Sequence, residues 1–175
     1  MSIKPAVIGI DPSLTGTGLA HIDGSTEVVD FTSGSLKLIT GDHRLLAIAN
    51  HIIPLVIGHQ RASYAVIEDL PKQAQGAGLT GRVQGVVRLI LIEHEVPYIA
   101  VVPSTLKMFA TGNGTSKKNR LAMELYKRTG IDLADDNACD AWWLRELGLH
   151  KLGAPTVDLP KTHTRALDKI GDWIV

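Results

Sequence analysis

The sequence predicts an α/β protein in which helices cover a mixed sheet. Two observations carry this prediction. Three short apolar runs separated by turn residues open the chain, which is typical of neighbouring antiparallel strands. Strand-like and helical segments then alternate to about residue 149, which indicates further strands with helices packed on them. At 175 residues the chain is long enough for one domain with a sizeable core.

The elements follow in order from the hydrophobic pattern. Residues 6–11 and 19–22 are apolar runs around a turn rich in glycine, serine and threonine, and they predict a hairpin. Downstream, the pattern predicts strands at residues 26–33, 63–69 and 97–103, helices at 43–58, 81–95, 115–129 and 135–149, and a helical turn at 104–107. The candidate helix caps are Asp42, then Thr115 or Ser116, then Asp135 or Asp136.

Composition narrows the classes of function. The 18 Lys and Arg residues balance the 18 Asp and Glu residues, so nucleic-acid binding would have to rest on local patches of charge. The single cysteine, Cys139, excludes an internal disulfide framework and fits a reducing, cytoplasmic compartment. No apolar run reaches the length of a membrane span, and the N-terminus does not resemble a signal peptide. We therefore expect a cytoplasmic protein without a membrane partner.

Acidic residues occupy unusual positions in this pattern. Asp11 and Glu68 each end an apolar strand, and strand alternation turns Glu68 to one face of the sheet while Asp69 points to the other. Asp136 and Asp140 are four residues apart, which stacks them on one face of the last helix. A carboxylate in apolar surroundings needs a cation, a strong donor or a proton. What neutralises these carboxylates is therefore the central question for function.

Each position also has an ordinary explanation. Asp11 suits a turn, Asp136 suits a helix N-cap, and Glu68 suits a polar strand end. Taken together, the carboxylates form the parts of an oxygen-ligand cage. No Cys and His spacing typical of zinc accompanies them, so the hard cations Mg²⁺ or Mn²⁺ are favoured. Such cages hold two metals about 4 Å apart for phosphodiester hydrolysis.

Short motifs at these residues, in a fixed order along the chain, carry a family resemblance. They are Ile8-Gly9-Ile10-Asp11-Pro12-Ser13 with Thr15-Gly16-Thr17-Gly18, then Ala65-Val66-Ile67-Glu68, then Thr115-Ser116-Lys117-Lys118, then Asp140-Ala141. The set resembles the RuvC-type Holliday junction resolvases, whose fold is ribonuclease H-like. The resemblance covers most of the chain up to its tail, and the sequence looks like a bacteriophage or actinobacterial member.

The resemblance implies a ribonuclease H-like, mixed five-stranded sheet flanked by helices. The nuclease domain would span residues 1–152, and Trp173 near the end of the chain leads us to expect that the tail of residues 153–175 packs on the same domain. It also implies a homodimeric crossover junction endodeoxyribonuclease that cuts Holliday junctions or other branched DNA by paired nicks, in recombination and repair. Two Mg²⁺ ions per active site would be required, with Mn²⁺ able to substitute. Whether a helicase partner exists stays open.

The same resemblance assigns roles to residues. Asp11, Glu68 and Asp140 carry over as catalytic metal ligands. The family usually places an acid or histidine three residues before the last aspartate, and that position is Asn137 here. We therefore expect Asp136 to be the fourth catalytic ligand, because a carboxylate offsets metal charge. The alternative is Asn137 as a neutral ligand with Asp136 as the helix cap.

Basic residues predict the DNA-binding surface. Lys117 and Lys118 follow a glycine-rich loop at a helix N-terminus, where backbone N–H groups also favour phosphate. The predicted DNA-binding residues are Lys107, Lys117, Lys118 and Arg120, extended by Lys72 and Arg82. The alternative is a solvated helix face. The loop at residues 69–76 lacks the aromatic residue that the family often carries for stacking at the junction centre.

Other assignments stay open from the sequence. The helix at residues 81–95 carries an apolar stripe that fits packing on the sheet, or alternatively the subunit contact of a homodimer. The stripe consists of Val83, Val86, Val87, Ile90 and Leu91. Two other functions compete with the nuclease. One is a catalytically degenerate protein that binds DNA structures, and the other is an actin- or Hsp70-like phosphate-binding ATPase domain, which would need a second such domain.

Overall fold

The computed structural model describes residues 4–58, 61–70 and 77–175. Its strands are β1 (Val7–Asp11), β2 (Gly16–Ala20), β3 (Thr26–Asp30), β4 (Tyr64–Glu68) and β5 (Tyr98–Val101). Its α-helices are α1 (His43–Val56), α2 (Ala77–Glu93), α3 (Pro103–Thr111), α4 (Lys118–Thr129), α5 (Asp136–Lys151) and α6 (Lys161–Thr164), with 3₁₀ turns at Ser35–Leu38 and Arg165–Lys169. Within the described residues, no helix is long and apolar enough to cross a membrane.

The strands form one mixed sheet in the order β3-β2-β1-β4-β5. β1 pairs with β2 and β2 with β3 in antiparallel fashion, whereas β1 with β4 and β4 with β5 are parallel. The predicted mixed five-stranded sheet flanked by helices is therefore confirmed. β1 lies at the centre of the sheet and is buried along its whole length. This explains its continuous apolar sequence, since both faces of the strand are covered.

Strand alternation divides the core into two layers. Ile8 and Ile10 of β1 pack with α1 and α2 on one side of the sheet, and Ile67 of β4 joins them. Val7 of β1 and Val66 of β4 pack on the other side, against the apolar residues of α3, α4 and α5. Side chains alternate along a strand, so the residues two and four positions after Val7, and the residue two positions after Val66, also face α5.

Helix α5 is the central helix of the fold. Every residue from Ala138 through Leu149 is buried, because the helix lies between the sheet on one side and α3 and α4 on the other. Glycines permit this close contact. A Cβ atom on Gly9 would lie 2.0 Å from the carbonyl oxygen of Ala141, and one on Gly148 would lie 2.6 Å from Cγ2 of Val66. Larger residues at these positions would push α5 off the sheet.

Several helix ends differ from the prediction, and α2 spans Ala77–Glu93 instead of residues 81–95. The predicted turn at residues 104–107 is part of the nine-residue helix α3, which Pro103 begins and which ends at Gly112 in the left-handed conformation. Helix α4 begins after Lys117, without a side-chain cap, and not after Thr115 or Ser116. The loop uses both hydroxyls. That of Thr115 donates to Asn113 Oδ1 (2.9 Å), and that of Ser116 bonds the hydroxyl of Thr111 (2.8 Å).

The apolar stripe on α2 is explained mainly by packing in the core. Val83, Val87, Ile90 and Leu91 are buried against α1 and the sheet, with Val86 partly buried beside them. A different face of α2 stays exposed, and it carries Leu89 and Ile92.

The chain after α5 contacts the sheet edge and α3. Ile174 exchanges two backbone hydrogen bonds with Tyr98 on the edge strand β5 (2.8 and 2.9 Å), and the ring of Trp173 lies 4.7 Å from the ring of Tyr64. The imidazole Nδ1 of His163 is 3.0 Å from the carbonyl oxygen of Phe109 in α3. These contacts occupy the open hydrogen-bonding edge of β5 near Tyr98.

Candidate active site

Two carboxylates lie side by side where the central parallel strands end. The register pairs Ile10 of β1 with Ile67 of β4, so the next residues, Asp11 and Glu68, are neighbours on the sheet. Both face α5, because they follow Gly9 and Val66 by two residues. Asp69 points to the opposite side, where it accepts a hydrogen bond from Arg88 of α2 (3.0 Å).

Asp140 joins this pair from α5. It lies in the second turn of the helix and precedes Ala141, whose carbonyl oxygen rests against Gly9 of β1. The close contact at Gly9 therefore holds Asp140 near the end of β1, next to Asp11. Asp11 is 6% exposed and Asp140 is 7% exposed. Neither forms an ion pair among the described residues.

The electrostatics show that the carboxylates act on one another. Burial raises the pKa of Asp11 to about 6, an effect that a hydrogen bond from Glu68 and the charge of Lys118 partly offset. Burial raises the pKa of Glu68 to about 9, with further increases from the charges of Asp11 and Asp140. Burial and the charge of Asp11 raise the pKa of Asp140 to about 7.

These raised pKa values test whether the residues suit a divalent cation. Burial and the charges of the neighbouring carboxylates favour the protonated forms here, and a bound cation would favour the ionised forms instead. Their donor atoms are all oxygens, which suits a hard cation such as Mg²⁺ or Mn²⁺. As the side chains stand, no three acidic, His or Cys residues in the described ranges surround one common point. The residues fit a hard cation by the chemistry of their donor atoms and by their location at the ends of β1 and β4 beside α5.

Asp135, Asp136 and Asn137 lie at the start of α5. Asp135 is the N-cap, accepting from the backbone N–H groups of Asn137 (2.8 Å) and Ala138 (3.1 Å). Asp136 is half-exposed, and its charge raises the pKa of Asp140. The carbonyl oxygen of Asn137 would lie 2.1 Å from a Cβ atom on Gly18 of β2, which is opposite Asp11 in the hairpin register. The whole start of the helix is thus held at the carboxylate cluster.

Lys118 connects this cluster to the predicted DNA-binding residues. Its ammonium group lies 3.8 Å from a carboxylate oxygen of Asp136, and its charge lowers the pKa of Asp11, Glu68 and Asp140. Lys107 also lowers the pKa of Asp140. Lys117 is exposed next to Lys118, at the N-terminus of α4. These lysines therefore lie on the same side of the molecule as the carboxylates.

The remaining predicted DNA-binding residues divide into three cases. Arg120 is bound to the buried Glu124 (3.0 Å), which also binds Arg128 (3.1 Å), so its charge is partly neutralised. Arg82 of α2 forms an exposed ion pair with Asp42 (3.3 Å). Lys72 lies outside the described residues.

Sequence reasoning missed two contributions to the site. Asp135 raises the pKa of Asp11 in addition to capping α5, and no spacing rule connects these two distant residues. Gly9 and Gly18 admit α5 onto the sheet. A signal for the glycines existed, since a glycine inside a strand often marks the close approach of another backbone.

Comparisons with known proteins agree with this geometry. The family model described as "Crossover junction endodeoxyribonuclease RuvC" matches residues 7–141, a range that includes β1, β4 and the start of α5. The RuvC protein of Christiangramia forsetii is 27% identical over 165 residues, covering 90% of this chain and 85% of that protein. The RuvC protein of Treponema denticola is 32% identical over 127 residues, covering 69% and 70% respectively.

Solved structures share the fold. The structure of Thermus thermophilus RuvC matches with a TM-score of 0.65 at 20% identity, covering 87% of this chain and 98% of that one. Thermus thermophilus RuvC in complex with a Holliday junction substrate matches with a TM-score of 0.66 at 21% identity, covering 88% and 99%. With the family model spanning residues 7–141, these findings lead to one assignment. This chain belongs to the RuvC family of crossover junction endodeoxyribonucleases.

Proposed function

We propose that this protein is a structure-selective endonuclease that resolves Holliday junctions, or other branched DNA, by two-metal-ion hydrolysis of phosphodiester bonds. The observation that carries the proposal is that Asp11, Glu68 and Asp140 lie together where β1 and β4 end. The pKa values of all three carboxyl groups are raised there. A carboxylate cluster serving only the fold would be expected to have resident arginines or lysines bound to it. The names of the RuvC relatives support the substrate class.

Asp11, Glu68 and Asp140 would hold the metal ions, with Asp136 as the expected fourth ligand and Asn137 as the alternative. Bound divalent ions would activate the attacking water and stabilise the leaving 3′ oxygen. The carboxyl groups would release their protons as the ions bind, because ligation requires the deprotonated form. Lys118 reaches Asp136 and acts on the other three carboxylates, so it would offset their negative charge when DNA approaches.

Lys107, Lys117 and Lys118 would bind the DNA backbone beside this cluster. Lys117 and Lys118 lie at the N-terminus of α4, where unpaired backbone N–H groups add to the attraction for phosphate. Arg120 would contribute less, because Glu124 already holds it. Backbone contacts do not read sequence, so selectivity for branched DNA would come from the shape of the junction.

A homodimer would let two such sites make paired nicks. The exposed face of α2 supports this part of the proposal. Gly85, Leu89 and Ile92 are exposed at helical spacing, Leu89 is 63% exposed, and a Cβ atom on Gly85 would meet nothing within 4 Å. A small residue flanked by exposed apolar residues lets a second helix approach closely, which is how we expect the partner's α2 to pack.

The proposed nuclease domain spans residues 1–152, with residues 153–175 as an integral part of its structure. A DNA-processing enzyme of this kind would act in the cytoplasm. Of the two competing functions, the ATPase requires a nucleotide cleft between two domains, and the degenerate binder requires a cluster that does not take up ions.

Cleavage of a synthetic four-way junction tests the proposed function. We expect nicks near the crossover that require Mg²⁺ or Mn²⁺, no cleavage of a linear duplex of the same sequence, and no ATP hydrolysis. Binding without nicks at any divalent ion concentration would favour the degenerate binder. Release of phosphate from ATP without DNA cleavage would favour the ATPase.

A further inference from the structure

A partly polar cavity lies away from the carboxylate cluster. It has a volume of about 510 Å³ and is bounded by the turn after β2, the end of α4, the middle of α5 and the segment after α5. β2 runs antiparallel to β1, so the turn at Ile22 and Gly24 lies at the end of the sheet where β1 begins. Asp11 lies at the other end, where β1 finishes. The two sites are therefore separated by the length of the central strands.

The charged residues that line this cavity are mainly cationic. The cations are Lys4, Arg128 and Arg145, and Asp23 is the carboxylate that lines the cavity beside them. Asp23 is engaged locally, since its carboxylate accepts from the backbone N–H (2.9 Å) and hydroxyl (2.7 Å) of Ser25. The positive charges that line the cavity therefore outnumber the negative ones.

Arg145 is the most unusual of these cations. It is 5% exposed, its Nη2 donates to the carbonyl oxygen of Ile22 (2.5 Å), and its Nε–H has no acceptor. Among the residues the structure describes, no carboxylate oxygen lies within 4.0 Å of its guanidinium. The adjacent Glu146 accepts instead from Thr156 and Val157 on the following segment. A buried guanidinium without an ion-pair partner is costly, because burial removes its hydration.

Arg128 shows the same shortage of acceptors. Its Nη1 donates to the carbonyl oxygen of Asp158 (3.1 Å) and its Nη2 to Glu124 (3.1 Å), while its Nε–H is buried without an acceptor. Glu124 is shared with Arg120, so one carboxylate serves two guanidinium groups. Two arginines with unused donors thus line one cavity.

We propose that this cavity binds an oxyanion of the phosphate class. An anion placed there would lie beside Arg128, Arg145 and Lys4 and would compensate their positive charge. The phosphate could belong to a free anion or to a DNA backbone. The position opposite the carboxylate cluster favours a free anion, and the volume admits one as large as a small phosphorylated metabolite.

Arginine Nε–H signals in ¹H–¹⁵N NMR spectra test this site in the full-length protein. Both Nε–H groups are shielded from solvent, so their signals should exchange slowly enough to be observed. Arg128→Lys and Arg145→Lys assign them. Titration with inorganic phosphate at constant ionic strength should shift both signals along a saturable curve. Absence of a shift, or an equal response to chloride, would overturn the proposal.

Two surface variants keep the test independent of folding. Lys4→Ala should weaken phosphate affinity at least threefold, whereas Lys37→Ala, at an exposed lysine that does not line the cavity, should leave it unchanged. Equal affinity of Lys4→Ala and the wild type would contradict the site. Addition of a short DNA duplex distinguishes the sources. Shifts of the same two signals by DNA would overturn the assignment to a free anion.

Discussion

Asp11 and Glu68 lie side by side at the ends of two neighbouring parallel strands, where burial and the charge of Asp11 raise the pKa of Glu68. Neighbouring buried carboxyl groups repel each other when both are ionised, so burial and the nearby charges favour the protonated form of Glu68. Burial and repulsion between the carboxylates therefore raise their pKa values, and a divalent cation bound between them would offset this repulsion. This relationship connects the stability of the protein to pH and to metal ions.

Replacement of Glu68 by glutamine should stabilise the metal-free protein at alkaline pH. Native Glu68 keeps its proton to about pH 9, whereas its ordinary pKa is 4.5, so the unfolded state binds fewer protons between these values and the free energy of unfolding falls as pH rises. Glu68→Gln removes this loss. At pH 8.5 with a chelator, thermal unfolding should give a Tm at least about 3 °C above wild type, the effect of about 1 kcal/mol in a protein of this size.

Mg²⁺ should reverse this order, because it binds the wild-type cluster and not the variant. Asp69→Asn is the matched control, since Asp69 faces the other side of the sheet and binds Arg88. It should keep the pH dependence of the wild type. An identical pH dependence for wild type and Glu68→Gln would show that Glu68 is not protonated as described.

Lys118→Ala should weaken DNA binding and reduce its salt dependence. Loss of one phosphate contact should lower the slope of log K against log salt concentration by about 0.9. Fluorescence anisotropy with a labelled junction at several salt concentrations measures both quantities. Arg120→Ala is the control on the same helix, and we expect a smaller change in slope because Glu124 already neutralises Arg120. A larger effect for Arg120 than for Lys118 would contradict this description of the DNA surface.

Asp136→Asn and Asn137→Ala separate the two candidates for the fourth ligand. Asp136→Asn should lower the cleavage rate at least tenfold while junction affinity stays equal or rises, because Lys118 loses its partner and becomes available to phosphate. Asn137→Ala should retain most of the cleavage rate. Single-turnover cleavage and anisotropy provide the two readouts, and the opposite ranking of the variants would make Asn137 the ligand.

Leu89→Glu should convert the proposed dimer to a monomer. The substitution puts a charge in the middle of the exposed face of α2, whose apolar residues would otherwise contact the partner. Size-exclusion chromatography with light scattering at micromolar concentration measures the mass. Leu46→Glu, at an exposed leucine on α1, should leave the dimer intact. A wild-type protein that is strictly monomeric would reject the dimer, and a dimeric Leu89→Glu variant would reject this surface.

Much of the fold could be predicted because the apolar pattern is strong in the strands. The runs that end in Asp11 and Glu68 are continuous, which only strands covered on both faces require. The pattern predicted the hairpin of β1 and β2, but it does not say where the later strands join the sheet, so the order of β4 and β5 could not be predicted. Helix starts were harder, because the hydroxyls of Thr115 and Ser116 had partners inside the loop that spacing does not reveal.

The arrangement of charges was less accessible from sequence. Arg120, Glu124 and Arg128 have the spacing of helix ion pairs, but their spacing does not reveal that Glu124 is buried and holds both arginines. Likewise, Lys118 was predicted as a DNA contact, and its proximity to Asp136 depends on how α4 packs against the start of α5. Such tertiary relationships arise from packing between distant segments, for which a single sequence has no direct signal.

Junction cleavage by Asp11→Asn tests the central claim most directly, because Asp11 is the carboxylate that contacts Glu68 and raises the pKa of Asp140. The variant keeps the size of the side chain and removes its charge. With a synthetic four-way junction in Mg²⁺, we predict loss of cleavage by at least a hundredfold with junction affinity within about threefold of wild type. Cleavage at the wild-type rate would contradict a metal-binding role for this cluster.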